Sequence, residues 1–322
     1  MSSLDPRKSD AVVLCECFAR DGLQHEPEFV PTALKLALLE QFTALGFPRI
    51  EATSFTHPGN VPQFTDADDI LRTLKRKPGT RYKATCVNQR SVERALAASD
   101  AGYGPEEISV ILAASNAMLQ KAFKRTEAEQ YKVIGGMIEA AQGRFELIGT
   151  VSFALGCPYE GPIEPARIIQ HARWLADHGV RYIAIGDTTG MGNPRSIKRL
   201  FGELLDALPD IFPIAHFHDT RGLGITNCLA AYEAGVRHFD CAFGGTGGNP
   251  AKISYVEGYS GNVCTEDLVT MFESMGIPTG LNIDHLLETA RQCEEALGRE
   301  LEGRVTRSGL GLLCQPLGAE HV

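Results

Sequence analysis

His216-Phe217-His218 sets two imidazoles two residues apart, directly after the run Phe212-Pro-Ile-Ala and directly before Asp219-Thr-Arg-Gly222. If that run is a strand, residues two apart point to one face. The two rings then stand side by side at the strand's carboxyl end. Two imidazoles so placed can supply two ligands to one divalent metal ion. They can equally be a hydrogen-bonded pair of core histidines, and the tripeptide alone does not choose. The choice depends on the elements that position the pair and on what else they bring to it.

Those elements belong to a chain of 322 residues, 43% hydrophobic and 22% charged, an ordinary globular composition. Its length would allow two domains, but α/β barrels run this long as one. A net charge of -9 argues against a nucleic-acid partner, which wants a basic stripe. It leaves room for a small anionic ligand, which needs only a local cationic pocket. No apolar run is long enough for a membrane helix, and the polar start MSSLDPRKSD lacks the apolar centre of a secretory signal, so no membrane partner is expected. The nine cysteines are scattered, odd in number and form no CxxC. They read as small buried hydrophobes in a reducing cytoplasm rather than as a disulfide framework.

Short apolar runs over residues 12–17, 49–52, 82–87, 108–113, 145–152, 182–186, 214–217 and 238–242 are expected strands. Helical spacing follows over 32–45, 66–76, 91–101, 125–142, 165–178, 194–208 and 225–234, and again from about 265. Thr32 is a candidate N-cap for the first helix and Gly46 its stop. Strict alternation implies a parallel sheet, and eight strand–helix units closing on themselves make a (β/α)8 TIM barrel. The alternative is an open doubly wound sheet. The count of eight and the lack of GxGxxG after the first strand favour the barrel, over residues 11–300. A further helix is expected over 282–298, with residues 1–10 a flexible leader and 301–322 a mobile Gly-rich tail.

In such a barrel catalytic groups collect at the carboxyl ends of the strands. The polar residues there are Arg20, Asp21 and Gln24 after strand 1, Glu51 in strand 2, Asp187 after strand 6, His216, His218 and Asp219 at strand 7, and Asn249 and Asn262 beyond strand 8. Two imidazoles, the Asp21 carboxylate and the Asn262 amide oxygen make a mixed N/O set that suits Mg²⁺, Mn²⁺, Fe²⁺ or Zn²⁺. Arg20 would be a fixed cation for developing negative charge. Glu51 could instead only pair with Arg20 and position it, and Asp187-Thr-Thr-Gly could be an ordinary turn.

Seven separated motifs now stand in order: Arg20-Asp-Gly-Leu-Gln, Ile50-Glu-Ala-Thr-Ser-Phe, Val61-Pro-Gln, Gly156-Cys-Pro-Tyr-Glu-Gly161, Gly186-Asp-Thr, His216-Phe-His-Asp-Thr and Gly258-Tyr-Ser-Gly-Asn-Val-Cys-Thr-Glu-Asp-Leu268. Over about residues 12–298 the chain resembles the 3-hydroxy-3-methylglutaryl-CoA lyases of the DRE-TIM metallolyase group. The resemblance implies a TIM barrel holding Mg²⁺ or Mn²⁺, with Zn²⁺ also compatible, on Asp21, His216, His218 and Asn262. It implies retro-Claisen cleavage of a 3-hydroxyacyl-CoA thioester, with Arg20, Glu51, Asp187 and Asn249 at the reacting centre and Asp187 near the substrate hydroxyl. Substrate contacts are expected from Gln24, Tyr159 and Asn116, and the family often forms homodimers.

Three departures surround the substrate rather than the metal. Asn249, in Gly244-Gly-Thr-Gly-Gly-Asn-Pro250, stands where the family has a cysteine thought to move a proton. An amide cannot trade protons near neutral pH. The segment Ile253–Glu257 reads as an insertion, with Tyr255, Glu257 and Tyr259 as candidate replacements for the thiol. Ala184 stands where the family usually has serine. The competing readings are an aldolase or Claisen-type synthase on another hydroxy or keto acid, and a non-catalytic acyl-CoA-binding barrel.

Overall fold

Each short apolar run pairs with the next, and the last pairs with the first. The computed structural model of the chain describes residues 10–248 and 260–311. Among these residues the strands are β1 (Val13–Glu16), β2 (Arg49–Ser54), β3 (Arg81–Cys86), β4 (Glu107–Ala113), β5 (Glu146–Ser152), β6 (Tyr182–Asp187), β7 (Phe212–Phe217) and β8 (His238–Cys241). They form a closed parallel barrel in sequence order, sealed by β1 against β8 with Cys15 opposite Asp240. Eight parallel strands around one axis are the (β/α)8 TIM barrel that the alternation predicts.

The helices that cross between strands are α1 (Thr32–Leu45), α2 (Ala67–Thr73), α3 (Gln89–Asp100), α4 (Glu127–Ala141), α5 (Pro165–Asp177), α6 (Pro194–Ala207), α7 (Gly224–Glu233) and α8 (Thr265–Ser274), followed by α9 (Leu286–Leu297). Their starts follow local chemistry. Asn88, Thr126 and Asn193 each cap a helix by accepting a backbone N–H three residues on, and the residue there bonds back. Thr32 does not cap α1. Pro31 takes that place, and the Thr32 hydroxyl instead donates to Asp66 at 2.8 Å. A proline there sets the entry backbone by its fixed φ, and a nearby carboxylate outcompetes the helix for the hydroxyl. Gly46 ends α1 at φ 96°, as expected.

The main apolar core lies between strands and helices, where Phe42, Phe47 and Phe243 pack, the first and last stacked with ring centroids 5.3 Å apart. The inside of the barrel is mostly polar. Only Ile148, Ala184, Ile214 and the partly buried Tyr182 form an apolar cluster there. At its base Arg49 donates twice to Glu107, at 2.7 and 2.9 Å. Burial pushes the unpartnered His238 imidazole down to about 3, so it is neutral.

Of the segment expected as a tail, residues 301–311 are described, and they pack against the barrel mouth. The short helix Val305–Ser308 starts on Asp267, and Thr306 donates to Glu266 at 2.9 Å. Glu302 N–H donates to Gly244 O in the β8 loop at 3.0 Å.

Glu16 ties this mouth together. Its Oε1 accepts Phe18 N–H at 2.8 Å and Phe243 N–H at 3.2 Å, and its Oε2 lies 2.6 Å from the Thr265 hydroxyl. Burial raises this carboxyl to about 8, against hydrogen bonds that lower it, so the folded chain holds a proton here at neutral pH. A raised folded value means stability is complete below the unfolded value near 4.5 and falls as pH rises towards 8. We therefore expect wild type to lose a few kcal/mol between pH 5 and 8 relative to Glu16→Gln, whose amide keeps the same three contacts. Urea unfolding at pH 5, 6.5 and 8 measures it; parallel curves for the two proteins would refute it.

Candidate active site

The first side chains of the site come from a backbone irregularity. After β1 the chain makes one π-helical turn, Phe18–Gly22, with i+5 bonds Gly22 N→Cys17 O (3.1 Å) and Leu23 N→Phe18 O (2.9 Å). Such turns recur at functional sites because they re-aim consecutive side chains. Here both Arg20 and Asp21 are buried at the barrel mouth and joined by a hydrogen bond. Gly22 is required by close approach: a Cβ there would lie 2.5 Å from Thr246 Oγ1.

His216 is the next-to-last residue of β7 and lines the cavity, and His218 follows just past the strand, bridged to Asn262. Both Nε2 atoms face one oxygen of Asp21: Oδ2 lies 3.7 Å from His216 and 3.6 Å from His218. Ligand atoms of the three residues lie within 4.8 Å of one another. Asn262 reaches the same oxygen, its amide N–H₂ donating to Asp21 Oδ2 (2.8 Å) and Thr246 O (2.9 Å). Its amide oxygen is buried with no hydrogen-bond partner among the described residues. A buried acceptor left open is costly unless a ligand takes it, so these four residues fit a divalent cation.

Side chains behind the ligands orient them. Asp240, opposite His216 in β8, lies 3.1 Å from His216 Nδ1, which leaves Nε2 for the mouth. Burial opposes charge on His216, but Asp240 and Asp21 outweigh it and raise its pKa. Burial likewise opposes charge on Asp21, yet Arg20 and the two histidines hold its carboxyl well below the usual range. Arg20 Nε stands 3.3 Å from Glu51 Oε1 without being aligned for a hydrogen bond. Glu51 is fixed by Thr85, which donates to it, and lies opposite Lys83 where the β2–β3 register slips between Glu51 and Thr53.

Arg20, Asp21, Gln24, Glu51, His216 and His218 line a cavity of about 410 Å³, and Asn262 stands behind Asp21, off its wall. That volume suits a small-molecule site. The structure thus brings together Arg20, Asp21, Gln24, Glu51, His216, His218 and Asn262. It places the others differently. Asp187 is fully buried, with its carboxylate accepting Met191 N–H (3.0 Å) and Gly192 N–H (2.8 Å). It is absent from the cavity wall. Both bonds close the Asp187-Thr-Thr-Gly turn, and the flanking Gly186 and Thr188 line the cavity. Burial outweighs those bonds and raises its pKa.

Asn116 and Tyr159 are exposed and do not line this cavity. Lys121 lies over the Tyr159 ring at 3.6 Å, and Glu160 ties the two segments by accepting from Ser115 at 2.8 Å. Asn249, Tyr255, Glu257 and Tyr259 lie outside the described residues. Sequence reasoning missed Lys83, Asp240 and Ser260. The first two had a signal: a parallel strand is buried on both faces, so a charge within it must be answered inside the protein. Ser260, 3.4 Å from His218 Nδ1 and 2.8 Å from the Thr220 hydroxyl, had none.

The family model HMGL-like matches residues 11–293. The chain belongs to that family. Enzymes of the HMGL-like family depend on a divalent metal. The chain is 37% identical to the mitochondrial hydroxymethylglutaryl-CoA lyase of Mus musculus over 298 residues, which are 92% of this chain and 89% of that protein. It is 34% identical to the (R)-citramalyl-CoA lyase of Chloroflexus aurantiacus over 311 residues, 93% of this chain and 95% of that one. Among solved structures it is similar to an HMG-CoA lyase from Acinetobacter baumannii in complex with coenzyme A and 3-methylmalate. The TM-score is 0.87 at 35% identity, covering 98% of this chain and 100% of that one. Like these HMGL-like relatives, the chain is a carbon–carbon lyase.

Proposed function

We propose that the chain cleaves a 3-hydroxyacyl-CoA thioester between C2 and C3, by a metal-dependent retro-Claisen reaction, into an acyl-CoA and a keto acid. One observation carries this reading: Asp21, His216 and His218 converge at the barrel mouth with Asn262, which bonds to Asp21 and whose amide oxygen is left open among the described residues. These four residues would hold the ion. Two oxygen and two imidazole donors suit Mg²⁺ or Mn²⁺ and also accept Zn²⁺. What the ion contributes when bound is Lewis acidity toward substrate oxygens.

The chain's own residues do the rest. Arg20, held between Asp21 and Glu51, is a preorganised cation for the charge that grows on the thioester carbonyl as the bond breaks. Glu51 orients Arg20. Gln24, on the cavity wall, is a substrate contact, and the exposed Asn116 and Tyr159 are contacts for the thioester. Asp187, between the cavity-lining Gly186 and Thr188, acts near the substrate hydroxyl. Asn249 is a hydrogen-bonding residue of the site and moves no proton. The eight described cysteines are all free thiols, which fits a cytoplasmic location, and no described helix is long and apolar enough to cross a membrane.

The test is a panel of 3-hydroxyacyl-CoA thioesters, including hydroxymethylglutaryl-CoA and citramalyl-CoA, with protein stripped by EDTA and reloaded with Mg²⁺ or Mn²⁺. Mass spectrometry should find an acyl-CoA and a keto acid only with metal. Cleavage of no thioester overturns the proposal. Keto acid released from a non-thioester hydroxy-keto acid identifies an aldolase instead.

A further inference from the structure

Cys15 in β1 and Cys17 just past its end are two residues apart, so their side chains share a face. Both are buried, at 1% and 0% exposure, and their sulfurs lie 3.9 Å apart. Asp240 stands opposite Cys15 across the seam that closes the barrel. A ligand atom from each of Cys15, Cys17 and Asp240 lies within 4.8 Å of the other two. The lyase reaction uses neither thiol, and the set shares no residue with Asp21, His216 and His218.

The sulfur spacing is that of two donors on one ion. A disulfide brings its sulfurs to about 2.0 Å. A tetrahedral ion with metal–sulfur bonds of about 2.3 Å holds them about 3.8 Å apart. Cys17 Sγ also lies 3.6 Å from Cys15 O. Its contact with Cys15, together with burial, raises the Cys17 thiol well above its ordinary range, so it stays neutral until an ion displaces the proton.

The carboxylate has an oxygen to give. Asp240 is 3% exposed, and its Oδ2 lies 3.1 Å from His216 Nδ1 and 3.8 Å from Lys83 Nζ. Its Oδ1 is buried with no hydrogen-bond partner among the described residues. Such an open acceptor is costly unless a ligand takes it.

Charge also balances. A divalent ion on two thiolates and one carboxylate leaves one net negative charge, and a buried charge needs a partner. Lys83, 3% exposed, stands beside it. Burial opposes its charge, but Asp240 and its other anionic neighbours outweigh that and keep it protonated. Asp240 and Lys83 both line the cavity, which gives an ion a path from the mouth. Thiolates select ions of the zinc class, whereas Mg²⁺ takes oxygen donors.

We propose that Cys15, Cys17 and Asp240 form a second metal site, for a thiophilic divalent ion of the zinc class. On binding, each sulfur forms a bond to the ion and gives its proton to solvent. Asp240 then joins two centres, since it also holds His216 at the mouth. The site does not depend on the lyase reading.

Cd²⁺ is the probe, titrated into reduced full-length protein in excess Mg²⁺. Oxygen and imidazole donors give no sulfur-to-metal charge-transfer band, so that ultraviolet band reports this site and not the mouth. It should saturate at one ion per chain in wild type and in Asp21→Asn, and be lost in Cys15→Ser and in Cys17→Ser. Asp240→Asn should weaken Cd²⁺ roughly tenfold or more. Cadmium NMR of the unmutated chain, which tells sulfur-bound from oxygen- or nitrogen-bound metal, decides the matter if a serine variant fails to fold. No sulfur-bound cadmium in wild type overturns the proposal, and so does a band unchanged in both serine variants. A pair of hydrogens lost from Cys15 and Cys17 on oxidation, with no band in the reduced protein, also overturns it and marks a disulfide pair.

Discussion

Asp21→Asn is expected to lower metal-dependent cleavage by roughly 10³-fold or more, with metal affinity falling alongside it. The substitution keeps the shape of the side chain and removes the one negative charge that both imidazoles and the Asn262 amide share. It also takes away the carboxylate that pairs with Arg20, so two functions fail at once. Calorimetric titration with Mn²⁺, run beside steady-state assays, separates them. Full activity with undiminished metal binding would remove Asp21 from the ligand set. A low rate with intact metal binding would confine its role to Arg20.

The second expected result concerns charge rather than the ion. Arg20→Gln should cut kcat by roughly 10²- to 10³-fold while KM changes only a few-fold. The reason is timing: negative charge grows on the thioester carbonyl only as the carbon–carbon bond breaks, so a cation aimed there stabilises the transition state more than the bound substrate. Arg20→Lys should recover only part of the rate, because an ammonium ion cannot reproduce the planar fork that pairs with Asp21 and faces Glu51. A raised KM with unchanged kcat would recast Arg20 as a ground-state binding group. Removing this cation leaves Asp21 and Glu51 buried beside each other, so melting temperatures belong with the rates.

Both predictions rest on groups whose type is plain in the sequence and whose arrangement is not. The strand–helix alternation dictates the barrel, since short runs buried on both faces can pair only as parallel strands with helices between them. Barrel topology then sends Arg20, Asp21, Glu51 and His216 to one mouth, since the carboxyl ends of the strands lie there. So far residue type, spacing and chain order suffice. They settle which residues can approach, because strand direction and two-residue alternation are local properties that the backbone enforces.

Orientation is another matter. Asp187 reads as a site residue by its place at the end of β6, but that its carboxylate accepts from the backbone of Met191 and Gly192 is not legible there. Asn116 and Tyr159 sit at the ends of the expected elements but outside the cavity. Lys83 and Asp240 look like ordinary strand charges until the barrel closes and sets them against Glu51 and His216. The His216-Phe217-His218 tripeptide shows the same division. By itself it fits two core histidines as well as two ligands. What separates these is a carboxylate from residue 21 and an amide from residue 262, brought to the same rings by closure of β1 against β8 and by the bridge between His218 and Asn262. The sequence determined the donor types and the barrel that gathers them. Only the tertiary structure decided which donors stay open, because a polar group's availability depends on every neighbour that could satisfy it first.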